Sequence, residues 1–145
     1  MKKIASSLNT YLSDLVVFYL KLHDLHWNVK GPQFVEVHKY TEARYEDTAE
    51  KFDAVAEIMR MHGERPVSSV REYLALASVK ELGRDSCRDS EALKILTEDL
   101  SLLKAEAEQI RSEMAADDIF DAVALLEEHI AGYSKELWFL NSMTA

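Results

Sequence analysis

The sequence predicts an all-α fold, a four-helix bundle in which one long crossover connection carries a short extra helix. Four long segments place apolar residues at alternating steps of three and four, the spacing of one helix face. Only four glycines and two prolines occur in 145 residues, which favours a mostly helical chain. The roughly 25 residues between the second and third segments are too many for a tight hairpin, so we expect them to run back along the bundle.

Two apolar stripes in the first half of the chain define the first pair of helices. The first stripe comprises Ile4, Leu8, Tyr11, Leu15, Phe18, Leu22 and Leu25. The second comprises Phe34, Val37, Thr41, Tyr45, Thr48, Phe52, Val55 and Met59. Gly31 and Pro32 separate the two helices, because proline cannot continue a helix and restrains the residue before it.

The second half repeats this pattern after an irregular connection. Gly63 and Pro66 end the second helix, and a capping box at Ser69 and Glu72 predicts a short helix that ends near Ala77. We expect a charged loop over residues 80–89. The third helix follows Leu93, Leu96, Leu100, Leu103, Ala107, Ile110 and Met114, and the fourth follows Ile119, Val123, Leu126, Ile130, Tyr133, Leu137 and Leu140.

The composition is typical of one acidic domain that covers residues 1–145. Apolar residues make up 48% of the chain, enough to fill a single core. Asp and Glu outnumber Lys and Arg by 26 to 17, so we expect this surface to repel free DNA. Cys87 is the only cysteine, which excludes an internal disulfide. No apolar run has the length of a signal peptide or a membrane span, and we expect a cytoplasmic protein.

Five candidate metal ligands lie at the end of the first helix and along the second. They are His26, His38, Glu42, Asp53 and Glu57. The last four form two pairs spaced four residues apart, so each pair shares one face of the second helix. Carboxylates suit a hard cation, and imidazoles shift the preference towards iron or zinc.

Each candidate ligand also has a simpler interpretation. Acids four residues apart are common on the solvated helix faces of an acidic chain. His38 beside Lys39 fits a surface histidine. His26 beside Trp27 fits a packed histidine bonded to a carbonyl group. Taken one at a time, these residues leave both interpretations open.

The distance between the two ligand pairs is incompatible with one metal site inside one chain. His38 and Asp53 are separated by roughly 22 Å along a helix that rises 1.5 Å per residue. Bundles with an internal di-iron centre use Glu-x-x-His pairs, but the residues three positions before His26 and His38 are His23 and Val35. If the five residues bind metal together, the first three come from one subunit and the two later acids from its two-fold partner.

The run from His26 to Pro32, His-Trp-Asn-Val-Lys-Gly-Pro, resembles the signature of the Dps family of ferritin-like proteins. The candidate ligands, the Arg65-Pro66 pair and the stretch from Glu136 to Leu140 extend this resemblance over nearly the whole chain. The resemblance implies a ferritin-like four-helix bundle, in agreement with the long crossover.

The resemblance also implies an activity for the candidate ligands. In the family, the equivalents of these five residues from two subunits form a ferroxidase centre for two irons, and every position is filled here. Glu42 stands where family members usually carry Asp, and its longer side chain is expected to alter the second iron site. The implied function is oxidation of Fe(II), typically by hydrogen peroxide, with storage of ferric mineral in a dodecameric shell and protection against oxidative stress.

Two further roles are implied by the resemblance. Trp27 beside the site is a candidate quencher of stray oxidising equivalents, although a core aromatic fits equally well. Asp117, Asp118 and Asp121 are candidates for an acidic three-fold pore that admits ferrous iron. Alternatively, these acids simply favour the terminus of the fourth helix.

Two other functions compete with iron storage. DNA-compacting members of the family use a lysine-rich flexible tail, whereas only Lys2 and Lys3 precede the first helix here and no basic extension follows the fourth. A purely structural bundle requires the five ligand positions to be coincidental. We therefore expect a homo-oligomeric ferroxidase that takes ferrous iron and hydrogen peroxide and binds neither DNA nor membranes.

Overall fold

The computed structural model describes residues 1–145, and its first half forms two long helices joined by a sharp corner. A 3-10 turn leads into helix α1, Ala5–Asn28, and helix α2 spans Phe34–Met61. The short helix α3, Val70–Leu76, lies in the crossover, where the Ser69 hydroxyl accepts the Glu72 N–H at 3.3 Å. The predicted capping box and short helix are therefore confirmed.

The second half contains the other two long helices, α4 (Asp89–Ala116) and α5 (Phe120–Thr144). Helix α1 packs on α2, α4 packs on α5, and the two pairs meet mainly through α1 and α4. This is the predicted four-helix bundle with a helix-bearing crossover. No helix is apolar over a stretch long enough to cross a membrane.

A small parallel strand pair joins the end of α1 to the start of α4. Strand β1, Val29–Lys30, pairs with strand β2, Cys87–Arg88. The prediction of a loop over residues 80–89 is wrong at its end, since β2 occupies two of these positions and Asp89 already begins α4. Two residues are too few to show the alternating pattern from which a strand is predicted.

The predicted apolar stripes form the core of the bundle. Every residue of the first and third stripes is buried. Phe34, assigned to the second stripe, is instead 38% exposed because it lies at the start of α2 and stacks on His38 with ring centroids 5.2 Å apart. Trp27 is 67% exposed, so its interpretation as a core aromatic is wrong.

The corner between α1 and α2 is closed by a side chain of α4. The Asp89 carboxylate accepts the Gln33 N–H at 2.7 Å and lies against Gly31, where a Cβ atom would meet it at 2.3 Å. Gly31 has a backbone φ of +138°, which residues other than glycine rarely adopt. This contact holds the start of α2 beside the end of α1 and so brings His38 next to His26.

Candidate metal site

His26 and His38 form a stacked pair at the corner of the bundle. Their ring centroids are 3.6 Å apart and the rings are tilted by only 15°. The His26 Nδ1–H donates to the His38 carbonyl oxygen at 2.6 Å, and the His38 Nδ1–H donates to the His26 carbonyl oxygen at 2.8 Å. These reciprocal bonds fix both rings on α1 and α2.

The hydrogen bonds of the two histidines also determine where their lone pairs lie. A carbonyl oxygen only accepts, so each Nδ1 must carry a proton and, in the neutral ring, each Nε2 has a free lone pair. A metal-binding histidine is usually held in this way, with one ring nitrogen donating to a carbonyl group or carboxylate. His26 is 6% exposed and His38 is half-buried, so the pair lies at the edge of the core rather than in open solvent.

Glu42 lies one turn after His38 on the same helix, with its side chain exposed. Partial desolvation raises the pKa of the Tyr45 hydroxyl group. The negative charges of nearby carboxylates, Glu42 first, raise this pKa further. Tyr45 also presents its ring to the edge of His26, with centroids 5.4 Å apart and an angle of 88°. Glu42, Tyr45 and the histidine pair therefore occupy one continuous patch of the α1–α2 surface.

Asp53 and Glu57 lie about three and four turns further along α2 than Glu42, and both side chains are exposed. Neither acid forms an ion pair within its own chain. Because α2 is one unbroken helix, the roughly 22 Å between His38 and Asp53 is maintained. Within one chain, no three His, Cys, Asp or Glu side chains converge closely enough to hold a metal ion. The two candidate clusters thus stay apart in the single chain, and their union across two copies remains a prediction.

The three candidate pore acids lie at the turn between α4 and α5. Asp117 caps the end of α4 and pairs with Lys3 at 3.4 Å, and Asp118 follows it with a φ of +58°. Asp121 lies in the first turn of α5 and accepts the His62 Nε2–H at 3.0 Å. A negative charge stabilises the start of a helix, so Asp121 is well placed in the first turn of α5, whereas Asp117 lies at the end of α4. The pore assignment stays a prediction.

Comparison with known proteins assigns the chain to a family. The ferritin-like domain model matches residues 5–145. A Helicobacter pylori protein, DNA protection during starvation protein, is 32% identical over 133 residues, which cover 92% of each chain. The crystal structure of a Vibrio cholerae Dps protein has a TM-score of 0.95 at 30% identity and covers 99% of this chain and 90% of its own. This chain belongs to the Dps family.

Other Dps relatives show the same extent of similarity. DNA protection during starvation protein 2 of Bacillus anthracis is 30% identical, over 88% of this chain and 92% of its own length. The Vibrio cholerae protein is described as a member of a broad superfamily of ferritin-like diiron-carboxylate proteins. Membership of the Dps family connects the chain with iron-related protection against stress and with oligomeric assembly.

The structure of this Dps protein also shows side chains near the site that the sequence did not assign. His23, Tyr19, Tyr45 and Phe52 form an aromatic cluster between α1 and α2. Tyr45 and Phe52 were recognised only as members of an apolar stripe. The spacing along α1 could have indicated this cluster. Tyr19, His23 and His26 follow each other at steps of four and three, which places their side chains on one face of the helix.

Proposed function

We propose that the protein is a ferroxidase whose iron sites are shared by two copies of the chain. The histidine pair and Glu42 of one copy bind ferrous iron together with the two later acids of the other copy. The observation that carries this proposal is the pair of parallel imidazoles, His26 and His38, whose Nδ1 atoms are occupied by carbonyl groups and whose Nε2 atoms are free. Two imidazoles with several carboxylates form a ligand set that suits Fe(II).

The exposure of Asp53 and Glu57 supports a site that needs a second copy. Both acids extend from α2 into solvent, one turn apart, without a cation from their own chain. Such a pair attracts a cation, and a two-fold axis would place it against the histidines of a neighbour while the reciprocal site forms on the other side. Every two-fold interface would then contain two equivalent iron sites, and six such interfaces would form a dodecamer.

Iron is the substrate in this reaction, and hydrogen peroxide is the proposed oxidant. Two ferrous ions each give one electron to one peroxide molecule, its O–O bond breaks, and with two protons it becomes two water molecules. Because both electrons are taken by the same molecule, no hydroxyl radical is released. The carboxylates favour the oxidised product, since their negative charge stabilises Fe(III) more than Fe(II). The ferric product is stored as a mineral inside the closed shell.

A subunit-mixing experiment tests whether the sites are shared. His26→Ala and Asp53→Ala homo-oligomers are each expected to lose rapid ferrous oxidation, followed by absorbance after anaerobic iron loading and peroxide addition. Co-refolding the two variants restores one intact site in every mixed pair, because one chain supplies His26 and the other supplies Asp53. Random pairing at equal amounts restores about a quarter of the wild-type sites.

The matched control is Glu50→Ala, which removes an exposed acid from the same helix outside the predicted site. We expect it to oxidise iron at the wild-type rate, both alone and after mixing. A site contained within one chain predicts no recovery on mixing, and that result would refute the shared site. Unchanged oxidation in an assembled variant that carries both substitutions would refute the site altogether.

The same preparation separates iron storage from DNA binding. With a net charge of −9 per chain, the iron-free oligomer is expected not to retard DNA in a gel at physiological salt. Retardation that disappears when salt is raised would instead favour a DNA-binding function.

A further inference from the structure

Three polar side chains form a hydrogen-bonded chain in the core of the bundle, between α1 and α5. The Tyr11 hydroxyl oxygen lies 2.6 Å from the Tyr133 hydroxyl oxygen and 2.9 Å from Nδ1 of His129. All three residues are buried, with exposed fractions of 0%, 3% and 4% for Tyr11, Tyr133 and His129. None of them belongs to the proposed iron site. Because buried polar groups are costly when unpaired, few arrangements of the hydrogens in this chain are possible.

The hydrogens are placed by the need of each buried hydroxyl group to donate. The Tyr133 hydroxyl group has Tyr11 as its one hydrogen-bond partner, so its hydrogen points to the Tyr11 oxygen. The Tyr11 hydrogen then has one acceptor left, Nδ1 of His129. Burial lowers the pKa of His129 to about 4, so the ring is neutral and its Nδ1 can carry the lone pair that this bond needs. Tyr11 therefore donates to an imidazole and accepts from a second phenol.

This arrangement makes Tyr11 easier to oxidise than an ordinary buried tyrosine. A phenol that loses an electron becomes a very strong acid, so it gives up the electron readily only where a base takes the proton at the same time. Nδ1 of His129 is such a base, already at hydrogen-bonding distance. The bond from Tyr133 stays in place and stabilises the oxidised oxygen. Of the six tyrosines in the chain, Tyr11 is the one whose hydroxyl group bonds to an imidazole.

The tyrosine pair lies on the other side of α2 from the two later acids. The Lys51 ammonium nitrogen is 5.3 Å from the centroid of the Tyr133 ring, which places that part of α2 beside the pair. Asp53 follows two residues later, roughly 200° around the helix, and is exposed. Helix α2, about 10–12 Å across with its side chains, therefore separates the pair from an iron ion held by Asp53. Electrons tunnel through proteins over distances of this order.

We propose that Tyr11 gives an electron to hydrogen peroxide when a shared site holds one ferrous ion instead of two. The ferrous ion supplies the first electron and Tyr11 the second, the O–O bond breaks, and two protons from solvent complete two water molecules. The phenolic proton of Tyr11 moves to Nδ1 of His129, which leaves a neutral tyrosyl radical and an imidazolium ion. A later ferrous ion returns the electron, and the proton moves back.

Tyr133 is a positioning residue in this step, because its hydroxyl group holds the Tyr11 oxygen. The inference rests on the proposed function, since the shared site supplies the iron and binds the oxidant. It adds a protective reaction at sites that are only half filled, where peroxide would otherwise take a single electron and release a hydroxyl radical.

Electron paramagnetic resonance of rapidly frozen samples tests this step. The iron-free oligomer is loaded anaerobically with one ferrous ion per site, mixed with peroxide and frozen within milliseconds. The wild type is expected to show a tyrosyl radical, identified by the narrower spectrum of protein grown with ring-deuterated tyrosine. Tyr11→Phe should give at least tenfold less of this radical. His129→Gln should also give at least tenfold less, since an amide can accept a hydrogen bond but is not a base.

Two further variants make the result specific. Tyr133→Phe should keep the radical but change its g values at high field, because the hydrogen bond to the Tyr11 oxygen is lost. Tyr73→Phe, which changes a half-buried tyrosine of α3, is the control and should match the wild type. An unchanged radical in assembled Tyr11→Phe would overturn the role of Tyr11. A wild type that oxidises iron rapidly with two ions per site, but forms no tyrosyl radical with one, would overturn this inference and leave the proposed function intact. A wild type that oxidises no iron at either loading would overturn both.

Discussion

Replacing Glu106 with Gln is expected to flatten the dependence of stability on pH between about pH 5 and 9. Asp14 is fully buried, and its Oδ1 accepts the N–H groups of Ser78 and Val79 at 2.5 and 2.7 Å. Its Oδ2 and the Oε1 of Glu106 find no donor elsewhere in the chain, and the two carboxyl groups lie within hydrogen-bonding reach of each other. Burial, and the Asp14 carboxyl group beside it, raise the pKa of Glu106, so we place the proton between the two groups on Glu106.

The size of the effect follows from the altered proton affinity. Burial, and then the hydrogen bond and charge of Asp14, raise the pKa of Glu106 from 4.5 to about 9. Between these values the folded protein binds one more proton than the unfolded chain, so the stabilisation is complete below pH 4.5 and is lost as the pH approaches 9. The limiting slope is about 1.4 kcal/mol per pH unit. Because Glu106 borders an open groove, the effect is reduced by solvent screening, and we expect about 1–2 kcal/mol between pH 6 and 8.

The assay is urea unfolding of the iron-free protein at pH 6, 7 and 8 and at one fixed protein concentration, because assembly also contributes to apparent stability. The wild type should lose more free energy of unfolding with rising pH than Glu106→Gln does. Glu108→Gln, an exposed acid of the same helix, serves as the control and should follow the wild type. Parallel pH profiles of the wild type and Glu106→Gln would refute the shared proton.

Two other substitutions test contacts that hold the site in position. Gly31→Ala should lower the free energy of unfolding by roughly 2 kcal/mol or more. The new Cβ atom would collide with Asp89, and the alanine backbone would have to keep an unfavourable φ. Thermal melting checks this, and an unchanged midpoint contradicts it. Lys21→Ala should cost about 3–5 kcal/mol, because it leaves Asp99 buried without the ammonium group that lies 2.7 Å away. In a double-mutant cycle with Asp99→Asn, strictly additive losses would show that the pair does not interact.

Helices and ligand types could be predicted from this sequence because both depend on short spacings along the chain. The stripe from Leu93 to Met114 repeats at steps of three and four, and all of its members are buried as predicted. His38 and Glu42, four residues apart, necessarily share a face of one helix. The long crossover followed from chain length alone, because no tight turn uses so many residues.

Contacts between distant segments could not be predicted, because the spacing of residues within one segment does not show which other segment it packs against. The stacking of His26 on His38 depends on the corner closed by Asp89, which lies more than fifty residues later in the chain. The Nδ1 of His129 lies 2.9 Å from the Tyr11 hydroxyl of α1, a partner 118 residues away in the chain. Strand β2 was missed for the same reason, since its two residues form a strand only against β1.

The sequence therefore determined the helical class, the family and the chemical types of the candidate ligands, since these reside in periodicity and in a continuous motif. The folded chain decided which nitrogen of His26 and of His38 is free, how the His23 ring lies against Tyr45, and which buried acid keeps a proton. These properties depend on hydrogen-bond partners and burial supplied by other helices. The carbonyl partners of His26 and His38 come within 3 Å of the rings only when α1 and α2 pack together.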